Sequence, residues 1–184
     1  MKLWLLRHAR VQLPGGLCYG ASDVPADPEL TLAAARHWAP QLPGEALWRV
    51  SGLGRAQQLA RAIRSLRPAW PVPVIDARLN EMDFGRWELA PWDRIARRDF
   101  DDWMLDFAHH RFGGAESTQM LIDRVAQALT EQRRAAPRQA VWVTHAGVIR
   151  AVCYLARGGT LPIPGVGHWP REAPEPGGGL CLDV

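Results

Sequence analysis

Two histidines occupy equivalent places in this chain. Arg7-His8 follows directly on the apolar run Leu3-Trp4-Leu5-Leu6, and Thr144-His145 follows on Ala140-Val141-Trp142-Val143. Short apolar runs without polar alternation read as strands buried on both faces, so each imidazole is expected at the carboxyl end of a strand. In an open α/β sheet the ligand crevice lies outside those ends, near the point where strand order reverses. His8 and His145 are therefore expected to face one another. Arg55 joins them, because Ser51-Gly52-Leu53-Gly54-Arg55 follows the run Ala46 to Val50 as a strand-to-helix turn at the same sheet edge. That turn offers an anion both a guanidinium and the free N–H groups of a helix start. Glu81 lies in Leu79-Asn80-Glu81-Met82-Asp83-Phe84-Gly85-Arg86-Trp87-Glu88, where aromatics interleaved with acids can shield one carboxyl from water, as a general acid requires.

Two histidines with Glu81 or Asp83 would equally make a metal site. Metal ligands usually stand in acidic surroundings, whereas Arg7 is covalently next to His8 and Arg55 is expected in the same crevice. Two guanidiniums repel a divalent cation and attract a phosphate, the more so at low effective dielectric. The reading is a phosphate site that needs neither metal nor organic cofactor.

The elements that must position these groups alternate along the chain. Strands are expected at Leu3–Leu6, Ala46–Val50 and Ala140–Val143, with a weaker one at Val72–Ile75. Helices are expected from Leu32 to Trp38 behind a Thr31 cap, from Arg55 to Leu66, from Ser117 to Arg134 and from Val148 to Leu155. Alternation of this kind predicts an α/β fold, a three-layer α/β/α sandwich around a mainly parallel sheet. With 184 residues, 47% of them hydrophobic, one domain spanning 1–184 is expected, with no internal repeat and no linker. Residues 13–28 and 158–179 are rich in Pro and Gly, the second stretch reading either as an ordered wrap or as a loose tail.

Composition excludes several functions. Lys2 is the only lysine, and the 22 basic residues stand against 19 acids for a net charge of +3. The arginines are interleaved with Asp and Glu rather than gathered into a stripe, which argues against nucleic acid. Cys18, Cys153 and Cys181 form no C-x-x-C pair and are odd in number, so a reducing, cytoplasmic setting is expected. No run is long enough for a bilayer span, and Leu3–Leu6 is too short for a signal-peptide core.

These residues carry a family resemblance over most of the chain. Leu6-Arg7-His8-Ala9 resembles the R-H-G motif of the histidine phosphatase superfamily, also called phosphoglycerate-mutase-like, and Ser51 to Arg55 resembles its S-P-L-x-R turn. Leu79-Asn80-Glu81 resembles its acid-bearing segment, and Val143-Thr144-His145-Ala146-Gly147 its second-histidine motif. Four motifs in the right order are far more specific than R-H alone. Within the superfamily, the stretches Cys18 to Pro25, Glu81 to Glu88 and Gly113 to Ser117 look most like the α-ribazole phosphatase branch, which acts in assembly of the cobalamin nucleotide loop.

The resemblance implies that His8 is the nucleophile and forms a phosphohistidine. Arg7, Arg55 and His145 would hold the phosphoryl oxygens, and Glu81 would serve as general acid and then base. Tyr19, Gly20 and the N–H of Ala146 are further candidates for contacts to substrate or phosphate. The substrate implied is a small phosphorylated metabolite. The alternatives are a phosphoglycerate-mutase-type transfer, a broad-specificity sugar or protein phosphohistidine phosphatase, and an inactive binder of phosphorylated ligands. The chain departs from the motifs at Ala9 and Ala146, which replace glycines, at Gly52, which replaces proline, and at Arg10, which either enlarges the anion site or points to solvent. Trp4, Trp38 and Trp142 are expected in the core, and Trp87 and Trp92 facing substrate. Phe107 to Phe112, with His109, His110 and Arg111, reads as a lid or as a solvated helix end.

Overall fold

The computed structural model describes residues 1–184. Its centre is a five-stranded sheet of β1 (Lys2–Arg7), β2 (Leu47–Val50), β3 (Val74–Ile75), β4 (Gln139–Thr144) and β5 (Gly179–Asp183), in the order β3-β2-β4-β1-β5. The first four strands run parallel, and β5 pairs antiparallel with β1. Side chains alternate across the sheet, so each central strand feeds two cores. Leu3, Leu5, Ala140 and Trp142 pack with α4 (Thr118–Arg134) and α5 (Ala146–Ala156) on one face. Leu6, Val141 and Val143 pack with α1 (Pro28–Trp38) and α2 (Gly54–Leu66) on the other. The expected α/β architecture, with helices on both faces of a mostly parallel sheet, is what the chain adopts.

Several boundaries differ from expectation for identifiable reasons. Helix α1 starts at Pro28 rather than after Thr31, because the Asp27 carboxylate accepts the Glu29 and Leu30 N–H groups, both at 2.9 Å, and Pro suits the first helical turn. Strand β3 shrinks to two exposed residues at the sheet edge. Helix α5 begins two residues early, at Ala146, so it leaves His145 with no intervening loop. A further helix, α3 (Arg97–Leu105), has no buried residue. The Pro/Gly-rich stretch is an ordered wrap rather than a loose tail. It returns beside β1, where Gly178 O accepts from Arg7 N–H at 2.9 Å and Gly177 N–H donates to His8 O at 2.9 Å, before β5 closes the edge.

This topology builds the crevice. In the β1–β4 pairing Arg7 sits opposite Thr144, and His8 N–H donates to Thr144 O at 3.1 Å. In the β2–β4 pairing Val50 sits opposite Val143, and Ser51 N–H donates to Val143 O at 3.0 Å. Three neighbouring parallel strands thus deliver His8, His145 and Ser51 to one sheet edge.

Candidate active site

His8 and His145 face one another with ring centroids 5.0 Å apart, and both are buried, as is Arg55. The His8 Nδ1 lies 2.7 Å from the Ala9 carbonyl oxygen. A carbonyl only accepts, so Nδ1 carries the proton and the lone pair of Nε2 is left available. Burial, then the Arg55 and Arg7 guanidiniums, push the His8 pKa down to about 3 against a smaller opposing pull from the Ala9 bond. The ring is therefore neutral across the ordinary pH range, as a nitrogen nucleophile must be. The adjacent arginines account for part of this effect, but burial is the larger cause.

His145 has both ring nitrogens engaged. Arg55 Nε–H donates to Nδ1 at 3.3 Å, and Nε2 lies 2.8 Å from Ser51 Oγ. Ser51 spends its own hydroxyl proton on Asn80 Oδ1 at 2.9 Å, so His145 is the neutral Nε2–H tautomer and donates to Ser51. Burial, then Arg55 and His8, hold its pKa well below the usual histidine value.

Arg55 has no carboxylate partner. Its terminal nitrogens donate to Ser22 O at 2.7 Å and Gly20 O at 2.6 Å, and its guanidinium lies 5.3 Å from the centroid of the Tyr19 ring. Gly20 and Tyr19 thus hold the arginine. The N–H of Gly20 is taken by Glu88 at 3.0 Å, which leaves this donor unavailable to a substrate. Three N–H groups leading into α2 are likewise taken, so this helix start offers an anion fewer donors than expected. Gly54 N–H goes to Asp23 at 2.6 Å, Leu53 N–H to Ser51 Oγ at 3.1 Å and Gly52 N–H to Asn80 Oδ1 at 2.7 Å. The last bond also explains a motif departure, since a proline at position 52 would have no N–H for Asn80. Arg7 donates to Pro174 O at 2.9 Å, and its Nε is buried with no protein partner.

The Glu81 carboxylate accepts from Met82 N–H and from Gly147 N–H, each at 3.0 Å. The second bond ties the acid to the first turn of α5, whose leading N–H groups have no partners within the helix, and Ala146 stands in that turn. A side chain at Gly147 would collide with Glu81. The glycines replaced by Ala9 and Ala146 carry no strain, because positive φ among non-glycine residues is confined to Leu89 and Ala136. Glu81 and Gly147 open onto a cavity of about 270 Å³ whose other walls include Phe84, Trp103, Phe107, Trp169 and Arg150.

The aromatics at the cavity are not the expected ones. Trp87 and Trp92 pack with Cys18, Ile95 and Phe112 in a satellite core and do not line this cavity. The arrangement of the other expected core tryptophans holds for Trp38 and Trp142, while Trp4 is half-buried. Asp83 commits its carboxylate to Gly85 N–H at 2.8 Å. Arg10, His109 and Arg111 are exposed and His110 is half-buried. No group of three His, Cys, Asp or Glu side chains is placed to hold a metal. Sequence reasoning passed over Ser51, Asn80 and Glu88, which act on the chemical groups through hydrogen bonds. The only available signal was their position, beside Arg55 or Glu81 in the same motifs.

The model of the histidine phosphatase superfamily (branch 1) matches residues 3–165. The chain belongs to this superfamily. Among solved structures, this histidine phosphatase superfamily member is similar to the protein TTHB049 from Thermus thermophilus, at 29% identity over all of this chain and 94% of that one, with a TM-score of 0.72. It is also similar to a phosphoglycerate mutase from Thermus thermophilus, at 28% identity over all of this chain and 93% of that one, TM-score 0.72. A mycobacterial glucosyl-3-phosphoglycerate phosphatase shares the fold at 24% identity, over 84% of this chain and 78% of that one, TM-score 0.73. No curated protein matches the chain. No helix is long and apolar enough to cross a membrane.

Proposed function

We propose that the protein is a phosphomonoesterase that hydrolyses a small phosphorylated metabolite through a phosphohistidine on His8. The observation that carries this reading is the His8 tautomer, with Nδ1–H held on Ala9 O and an unprotonated Nε2 beside two guanidiniums. In the first step the Nε2 lone pair forms the N–P bond as the ester P–O bond breaks, and Glu81 gives its proton to the departing alkoxide. Arg7 and Arg55 balance the charge on the equatorial oxygens. In the second step water attacks phosphorus, Glu81 takes its proton, the N–P bond breaks and inorganic phosphate leaves.

His145 joins the clamp through Arg55, whose Nε–H it accepts at Nδ1, so that the guanidinium faces the phosphoryl oxygens with its orientation set by a neutral ring.

For the leaving group, the aromatic-walled cavity next to Glu81 favours a flat, largely apolar alcohol. This supports the resemblance to α-ribazole phosphatases, while Arg150 in the same wall would suit an anionic leaving group such as that of the phosphoglycerates. The test is a comparison of phosphate release from α-ribazole 5′-phosphate and 3-phosphoglycerate, with EDTA present and with or without a bisphosphorylated primer. The proposal expects faster release from the ribazole ester, no effect of EDTA and no isomerised glycerate. Isomerisation exceeding hydrolysis, or activity lost to EDTA and restored by zinc, would overturn it.

A further inference from the structure

We propose that Glu88 is a positioning residue for the phosphate clamp, holding the Gly20–Ser22 turn in the shape in which its carbonyls grip Arg55. The role rests on the reading above only in taking the anion at Arg55 to be phosphate.

Five donors converge on this one half-buried carboxylate. Oε2 accepts from Gly20 N–H at 3.0 Å, Ser22 N–H at 3.1 Å and the Ser22 hydroxyl at 2.6 Å. Oε1 accepts from Ala21 N–H and Phe84 N–H, each at 2.9 Å. Three consecutive backbone N–H groups pointing at one anion leave the carbonyls of the same turn facing elsewhere. Two of them, Gly20 O and Ser22 O, take the terminal nitrogens of Arg55. Arg55 is fully buried and has no ion pair, so the shape of this turn decides where its guanidinium sits. The turn packs so closely on the acid-bearing segment that a side chain at Gly20 would overlap the Met82 carbonyl.

The Phe84 bond extends the device. Phe84 lies three residues beyond Glu81, so Glu88 ties the turn that holds the arginine to the segment that carries the acid. Burial alone would raise the Glu88 pKa, but the bonds from Ser22, Gly20 and Phe84 outweigh it and hold the group below its usual value. A neutral amide cannot substitute, since one end of it would present N–H groups to N–H groups.

The measurement is the inhibition constant of inorganic phosphate, read for Glu88→Gln in the wild-type and Arg55→Lys backgrounds. Loss of charge-assisted hydrogen bonding on this scale corresponds to roughly ten- to hundredfold in affinity. The constant is expected to rise by about that factor in the wild-type background and by less than about twofold beside Arg55→Lys, since a positioning effect needs the arginine it positions. Ser22→Ala removes one of the five bonds without touching the charge. It is expected to show the same pattern at a few-fold, and it carries the test if Glu88→Gln does not fold. Equal factors in the two backgrounds, or an unchanged constant, would overturn the positioning role. A wild-type protein indifferent to phosphate would overturn the phosphatase reading, and the proposal with it.

Discussion

Replacing His8 with glutamine should flatten the acid side of the protein's stability curve. In the unfolded chain an imidazole titrates near 6.5, whereas in the folded protein burial, Arg55 and Arg7 bring His8 down to about 3. Between those values the unfolded state binds a proton that the folded state refuses, so stability rises with pH across the window. The contribution is fully present above 6.5 and is lost as pH falls toward 3. Each unit is worth about 1.4 kcal/mol, so the whole window amounts to about 5 kcal/mol, and the part between pH 6.5 and 4.5 to about 3 kcal/mol. Urea unfolding followed by tryptophan fluorescence, on wild type and His8→Gln at half-unit steps from pH 7.5 to 4.5, isolates the term. The carboxylates and the histidines remote from the site are common to both proteins and cancel in the difference, while His145, whose pKa His8 helps to lower, changes it in the same direction. Wild type should lose about 3 kcal/mol relative to the variant on that descent. A difference that stays flat with pH would mean that His8 titrates normally in the fold, and the argument for a neutral nucleophile would fail with it.

Gly147→Ala should push Glu81 out of place and slow phosphoenzyme formation from an alkyl phosphate by roughly a hundredfold, while sparing its formation from p-nitrophenyl phosphate, whose leaving group needs no proton. Equal losses on both esters in the rapid-quench rate of phosphoenzyme formation would contradict the acid role. Trp169→Ala removes one wall of the cavity beside Glu81 and should raise KM for an aromatic-alcohol phosphate about tenfold, with the phosphate inhibition constant unchanged. Asp76→Asn leaves Arg49 and Arg78 without the buried carboxylate that each now meets, at 2.6 and 2.8 Å. It should cost about 2–3 kcal/mol in urea unfolding without altering KM, because this cluster lies outside the site.

The chemical groups were legible because topology, not fine contact, brings them together. Leu3–Leu6 and Ala140–Val143 read as strands from their apolar runs, and parallel strands side by side must present Arg7-His8 and Thr144-His145 at one edge. Arg55 and Glu81 needed the motif order as well. What the sequence hid were groups that act through backbone. Nothing in the type of Glu88 or Asn80 shows that one gathers the N–H groups of residues 20–22 and the other the Ser51 hydroxyl and the Gly52 N–H, because the partners lie far along the chain. Trp87 and Trp92 misled because an aromatic near an acid looks the same whether it lines a cavity or packs on Phe112. Strand β5 was hidden by its glycine start and the Pro/Gly run before it. Helix α3 carries only a short apolar stripe, Phe100, Trp103 and Met104, among exposed pairs such as Arg97 with Asp101, which add little stability.

The central claim is that a neutral His8 attacks phosphorus, and rapid-quench labelling tests it most directly. Wild type mixed with a ³²P-labelled phosphomonoester and quenched in base should yield one labelled residue, on His8, stable to alkali and lost in mild acid, and His8→Gln should yield none. Hydrolysis that proceeds with no labelled protein at any quench time, or a label that survives in His8→Gln, would contradict the account.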